Sequence, residues 1–184
     1  MATIYRFEVT VSDVDRGVYE TLDLRLALHP SETMRYLLTR TLAYCLCFEE
    51  GIAFSKGGLS SPEEAPVSIR DHTGALVAWI DIGAPSAERL HKASKAANRV
   101  AVFTTGDFAA IQREAANRPI HRADRIELFS IPRAFVDTLE ARVDRNCAFE
   151  LVRNEGQLYS TIGTTTLEGE LATTTLADLL QSIR

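Results

Sequence analysis

The chain is short of most features that announce a function at first reading. No apolar run approaches the roughly 20 residues that cross a bilayer. The opening residues, MATIYRFEVTVSD, alternate in hydrophobicity and lack the charged-then-apolar order of a secretory leader, so the cytoplasm is the expected compartment. Cysteine is sparse: of three, Cys45 and Cys47 fall in a helical pattern and Cys147 is far from both. Side chains at i and i+2 of a helix point about 200° apart and cannot readily pair or share a metal, so all three read as packed thiols. Basic charge is also short, with 20 Lys and Arg against 25 Asp and Glu, a net charge of −5 and a pI near 5.4. That balance argues against a protein that coats nucleic acid non-specifically, although a local groove can be basic within an acidic whole. His29, His72, His91 and His121 show no zinc-binding spacing. The stretch SKGGLSS lacks the P-loop pattern, and no GxSxG elbow is present.

What is there reads as one domain over 1–184, without repeats or low-complexity linkers. Residues 3–11 alternate through Ile4, Phe7, Val9 and Val11, and 18–28 alternate through Leu22, Leu24, Leu26 and Leu28. With SDVDRG between them they predict an antiparallel hairpin, ended by His29-Pro30. Ser31 is the expected N-cap of a helix over 32–50, with Gly51 stopping it. IAFSKG reads as a short strand and GLSSPEEAP as turn. VSIRD and LVAWIDIG read as strands joined at HTGA. A helix over 86–97 follows, with Pro85 at its first position, and then the apolar strand RVAVFTT, expected to be parallel and covered on both faces. Helices are expected over 106–118 and, with Pro132 first, over 132–144. A strand over 125–131 separates them. The tail carries two or three threonine-rich strands and a short helix. The fold class is therefore α/β, a mixed central sheet with flanking helices and extra hairpins at both ends.

Acidic residues in awkward places mark the candidate site. Asp81 lies among Leu76, Val77, Trp79, Ile80 and Ile82, and alternation puts it on one face with Val77 and Trp79. An ionised carboxylate there must be paired, hydrogen-bonded or metal-bound, unless it sits at a wet strand end and caps the next helix. Glu63 and Glu64 precede VSIRD. If that strand pairs with LVAWIDIG, Glu64 and Asp81 approach one another, and two such carboxylates suit Mg²⁺ or Mn²⁺. The alternative is a solvated acidic loop. Glu49 and Glu50 end the expected first helix, Glu49 on the stripe of Leu42, Cys45 and Leu46. Among the cations, Lys92 and Lys95 are neighbours on one helix face, and Lys56 ends a strand. A lysine beside a metal-bound water can position it and neutralise charge on a phosphate; a solvated helix face is the plainer reading.

The order helix–strand–strand–strand–helix–strand, with an acid before the second strand and Asp81 in the third, is similar to the PD-(D/E)XK nuclease superfamily. The chain more specifically resembles the YaeQ family of bacterial proteins. The residues that carry this are ATIY at the start, HPSET at 29–33, and the helix with Arg40 and LAY. They continue through FSKG at 54–57, EEAP at 63–66, WIDIGAP at 79–85, RLHKA at 89–93 and VAVFT at 100–104. The resemblance implies an N-terminal hairpin over 1–28, a PD-(D/E)XK nuclease-like core over 31–104, and helices and C-terminal strands over 105–184. It matches Glu64 or Glu63 and Asp81 to the two motif acids, and Glu49 or Glu50 to the acid that the first helix lends to the metal. Two departures stand out: the motif proline and acid are here E-E-A-P, and Gly83 occupies the lysine position. Lys92 on the following helix would take the lysine's place.

Three expectations follow. One is a metal-dependent phosphodiesterase on nucleic acid, with Glu64, Asp81 and Glu50 or Glu49 on Mg²⁺ or Mn²⁺, Lys92 positioning water, and Arg40 and Lys56 on phosphate oxygens. Another is a catalytically silent nuclease-like scaffold that binds nucleic acid or a protein partner. A hydrolase of a small phosphorylated substrate is a third.

Overall fold

The computed structural model describes residues 1–56 and 62–183, and its elements follow the order of hydrophobic patterns in the chain. The first half holds β1 (Thr3–Asp13), β2 (Val18–Leu28), α1 (Met34–Leu46), β3 (Ile52–Phe54), β4 (Val67–Arg70), β5 (Leu76–Ile82) and α2 (Ala87–Ala96). The second half holds β6 (Arg99–Thr105), α3 (Ala109–Ala115), β7 (Ile126–Ile131), α4 (Arg133–Glu140), β8 (Asn146–Asn154), β9 (Gln157–Ile162), β10 (Thr165–Glu170), β11 (Ala172–Thr175) and α5 (Leu176–Gln181). The turn-rich stretch expected at 58–66 falls partly outside the described residues. Among those described, no helix is long and apolar enough to cross a membrane.

The result is a mixed α/β protein with two mixed sheets rather than one. The first has strand order β10-β9-β8-β1-β2 and the second β11-β7-β6-β5-β4-β3. The expected N- and C-terminal hairpins do not add to a single central sheet. They join each other, because β1 pairs β2 antiparallel and β8 in parallel, aligning Phe7 with Cys147 and Val9 with Phe149. A hydrophobic alternation specifies which face of a strand is buried but not which strand lies beside it.

The chain divides into two compact units, Met1–Phe48 with Ile131–Ala172, and Glu49–Ser130 with Thr173–Arg184. In the first, the alternate residues Phe7, Val9 and Val11 of β1 and Leu22, Leu24 and Leu26 of β2 are buried. Helix α1 begins two residues later than expected. Its N-cap is Thr33, whose Oγ1 accepts from the Tyr36 N–H at 3.1 Å. It also ends at Leu46, leaving Glu49 and Glu50 beyond the helix. No basic residue lies in its last turn, and the orphan carbonyls there find a partner from the β1–β2 turn. Arg16 donates from Nη1 to the Leu46 carbonyl at 2.8 Å and from Nη2 to the Phe48 carbonyl at 2.9 Å.

In the second unit β3, β4 and β5 form an antiparallel meander, and β6 runs parallel to β5, as its continuous apolar run implies. Trp79, Leu90, Ala93, Val100, Val102 and Leu128 are among the buried residues that form one core here. The meander is tightened where Gly51 meets Arg70. Gly51 has φ +90°, and its carbonyl accepts from the Arg70 N–H at 3.1 Å. A Cβ at Gly51 would collide with the Arg70 carbonyl. Gly51→Ala should therefore lower unfolding stability by about 2 kcal/mol or more, read from urea denaturation, with both strain and collision contributing.

Candidate functional site around Asp81

The β4–β5 connection forms as the alternating residues demand. Asp71 organises the turn, its Oδ1 accepting from the Thr73 N–H at 2.8 Å, the Thr73 hydroxyl at 2.6 Å and the Ala75 N–H at 3.1 Å. The Thr73 hydroxyl first, and then the surrounding amides, hold the Asp71 carboxyl below the ordinary aspartate value. Register then aligns Val67 with Ile80, so the residues just before β4 arrive beside the end of β5 that carries Asp81.

Asp81 is only 2% exposed. Trp79, two residues earlier on the same face, donates from Nε1 to Asp81 Oδ2 at 3.1 Å. Arg89 donates from Nε to the same oxygen at 2.6 Å, and its guanidinium lies 5.2 Å from the Trp79 ring centroid. Arg89 reaches this position because Ser86 caps α2: the Ser86 hydroxyl accepts from the Arg89 N–H at 3.2 Å. Pro85 accordingly lies outside the helix rather than at its first position. The far end of the guanidinium, Nη2, donates to the Glu64 carbonyl at 3.1 Å. One arginine thus ties the end of β5, the start of α2 and the segment leading into β4.

The other predicted residues fall into three places. Glu63 and Lys92 are together, with Glu63 Oε2 2.7 Å from Lys92 Nζ, which also donates to the Pro62 carbonyl at 3.2 Å. With Pro62, Ser86, Glu88 and Arg89 they line a cleft of about 420 Å³. The Glu64 residue is exposed, and Arg89 touches its backbone. Glu49 and Glu50 are elsewhere. Glu49 Oε1 lies 3.5 Å from Arg99 Nη1, and Glu50 Oε1 lies 3.8 Å from His72 Nδ1, at the turn end of the β4–β5 pair. Leu76 at that end and Asp81 are five steps apart on β5, or about 17 Å at the usual rise. The expected ligation of one ion by Glu49 or Glu50 with Asp81 is therefore not met, because the antiparallel meander carries them to opposite ends.

Arg40 also departs from its expected role. It is 2% exposed, donates from Nη2 to the Ala27 carbonyl at 3.1 Å, lies over the Tyr36 ring and has Glu32 Oε2 3.9 Å away. Burial, partly countered by Glu32, pulls its pKa below the ordinary arginine value. An arginine held inside this way reaches no external phosphate. Lys56, by contrast, is exposed just after β3. Gly83, at the lysine position, has φ +91°, a conformation that disfavours any side chain, and its N–H donates to the Phe103 carbonyl at 2.8 Å.

The residues present do not fit a resident Mg²⁺ or Mn²⁺. Among the described residues no three His, Cys, Asp or Glu side chains come together around a common point. Asp81 Oδ2 already receives both the indole and the guanidinium. Sequence reasoning missed Arg89. The available signal was the buried position of Asp81, which demands a cationic or donor partner, together with an arginine at the first turn of the next helix.

The pair should behave as a unit on removal. Arg89→Ala strands a buried carboxylate and should cost about 3–5 kcal/mol of stability, whereas Asp81→Asn with Arg89→Ala should recover much of that loss. Denaturation midpoints of the two single variants and the double variant measure this coupling. Additive losses would show that the pair carries no interaction energy.

The comparisons with known proteins accord with a single lineage across these elements. The uncharacterized protein YaeQ of Escherichia coli strain K12 is 38% identical over 109 residues, which cover 59% of this chain and 60% of that protein. The uncharacterized protein YaeQ of Salmonella typhi is 39% identical over 110 residues, with the same coverages. These matches therefore span less than two thirds of the relatives' own length. The crystal structure of YaeQ protein from Pseudomonas syringae superposes with a TM-score of 0.81 at 26% identity, covering 95% of this chain and 96% of that one. That of YaeQ protein from Xanthomonas axonopodis pv. citri gives 0.80 at 28% identity, covering 95% and 98%. The family model described as YaeQ protein matches residues 1–171, and the chain belongs to the YaeQ family.

Proposed function

We propose that this chain is a catalytically silent scaffold with a PD-(D/E)XK nuclease-like core over 31–104, and that it binds nucleic acid. Support for the core is the order α1–β3–β4–β5–α2–β6, with an antiparallel meander followed by a parallel strand. The observation that carries the silent reading is the Arg89 guanidinium, 2.6 Å from Asp81 Oδ2 and also bonded to the Glu64 backbone. It stands where a metal-dependent phosphodiesterase needs its cation. A positive group on the motif acid keeps the cleft near neutral without an ion and makes Asp81 a structural anchor. A cytoplasmic location belongs to this reading, since a nucleic-acid ligand is met there.

One observation favours the rival reading, a phosphodiesterase using Mg²⁺ or Mn²⁺ with Glu64, Asp81 and Lys92. The β4–β5 register delivers the 62–64 segment to Asp81 closely enough for one side chain to touch both. Calorimetric titration separates the two. Mg²⁺ and Mn²⁺ injected into the wild type and Asp81→Asn should give only heats of dilution, while a labelled oligonucleotide binds the wild type at low salt equally well with and without a chelator. Saturable one-site metal binding that disappears in Asp81→Asn would overturn the silent reading in favour of the enzyme.

A further inference from the structure

Helix α2 presents a second group of basic side chains, unused by the site described above. His91 and Lys95 are one turn apart on α2 and share a face. The turn after α3 brings His121 against them. Its backbone N–H donates to His91 Nδ1 at 3.2 Å, and the two imidazoles lie edge to face with centroids 6.3 Å apart. That bond makes Nδ1 the acceptor, so a neutral His91 carries its proton on Nε2. Arg118 lies on the same turn. Lys95, Arg118 and His121 are exposed, and His91 is half-buried. Desolvation first, and then the nearby Lys95, Arg118 and His121, press the His91 pKa below the ordinary histidine value.

Surface cations elsewhere are of both kinds, paired and, like Arg25 and Arg113, without a salt bridge among the described residues; this group is marked by its clustering. Arg6, Arg35, Arg99 and Lys92 each have a carboxylate partner within 4 Å. Among the described residues, Lys95 and Arg118 take part in no salt bridge or side-chain hydrogen bond, although the chain as a whole has five more acids than Lys and Arg together. Like charges gathered without a counter-charge cost free energy in the unliganded protein, and an anion relieves that cost. The donors are spread over an open helix face and a turn rather than converging in a cavity. That geometry suits an extended polyanion better than an enclosed small phosphate.

We propose that His91, Lys95, Arg118 and His121 form a contact surface for the phosphodiester backbone of a nucleic acid. The inference rests on the nucleic-acid reading above and places the contact on α2 and the turn after α3. Recognition there is electrostatic and carries no base specificity, because phosphate contacts position a strand without reading it.

Fluorescence anisotropy with labelled single-stranded DNA, RNA and duplex DNA of about 20 nucleotides tests it, at about 50 and 200 mM salt. The charge reversals Lys95→Glu and Arg118→Glu alter exposed side chains, and circular dichroism verifies that the fold survives. Arg25→Glu, an exposed change on β2, makes the net-charge change of either single reversal at another place. The Lys95→Glu/Arg118→Glu protein should bind the best of these probes at least about tenfold more weakly, with the slope of log K against log salt reduced by about two. Arg25→Glu should change binding by less than about twofold. Wild-type binding that ignores the double reversal, or falls equally with Arg25→Glu, would overturn this surface while leaving the nucleic-acid reading intact. Absence of binding to all three probes at low salt would overturn both.

Discussion

A carboxylate inside a sheet must have its charge answered nearby, and Asp81 imposes that requirement on everything around it. Burial among Trp79, Ile80 and Ile82 removes the water that would otherwise solvate it. Arg89 answers the charge at 2.6 Å, and Trp79 supplies a second donor. The guanidinium has further donors to place, and one reaches the Glu64 carbonyl. The start of α2, the end of β5 and the entry to β4 therefore share one dependency. Such a pair is weak evidence for net stability, since its desolvation opposes its attraction. Its consequence here is positional: the cap at Ser86 has to begin the helix where Arg89 can reach the strand.

The same pair explains why the neighbouring chemistry looks unlike an ion site. Lys92 makes its bonds to Glu63 and the Pro62 carbonyl, so it helps hold the cleft wall rather than approaching Asp81. Gly83 keeps a positive φ and a backbone bond to β6, a conformation that favours glycine over any residue with a side chain. Within α2, Arg89 and Lys92 are held by partners in the protein, whereas among the described residues Lys95 takes part in no salt bridge or side-chain hydrogen bond.

Much of the second unit was legible in local pattern. The run RVAVFTT predicted a doubly covered parallel strand, and the alternation in LVAWIDIG put Trp79 and Asp81 on one face. The turn between β4 and β5 was legible in HTGA, although the part Asp71 plays in it was not. The limits of the first helix were less legible, because Ser31 and Thr33 are both good caps and only the geometry of the Tyr36 amide selects between them. Arg40 shows a deeper limit. Helical periodicity says which way its side chain leaves α1, but its burial depends on the Ala27 carbonyl, Tyr36 and Glu32 around it.

By itself the sequence determined the elements that nearest-neighbour physics controls: strand alternation, helix stripes, the glycine-bearing turns, and the demand that Asp81 find a partner. Only the tertiary structure decided who meets whom. It set β1 beside β8 across most of the chain's length, sent Glu49 and Glu50 to the far end of the meander from Asp81, chose Arg89 over Lys92, and brought His121 and Arg118 to His91 and Lys95. Those outcomes depend on register and on contacts between residues distant in sequence. The repeat of a strand or helix specifies a face, and the partner across that face is set by the packing of the whole unit.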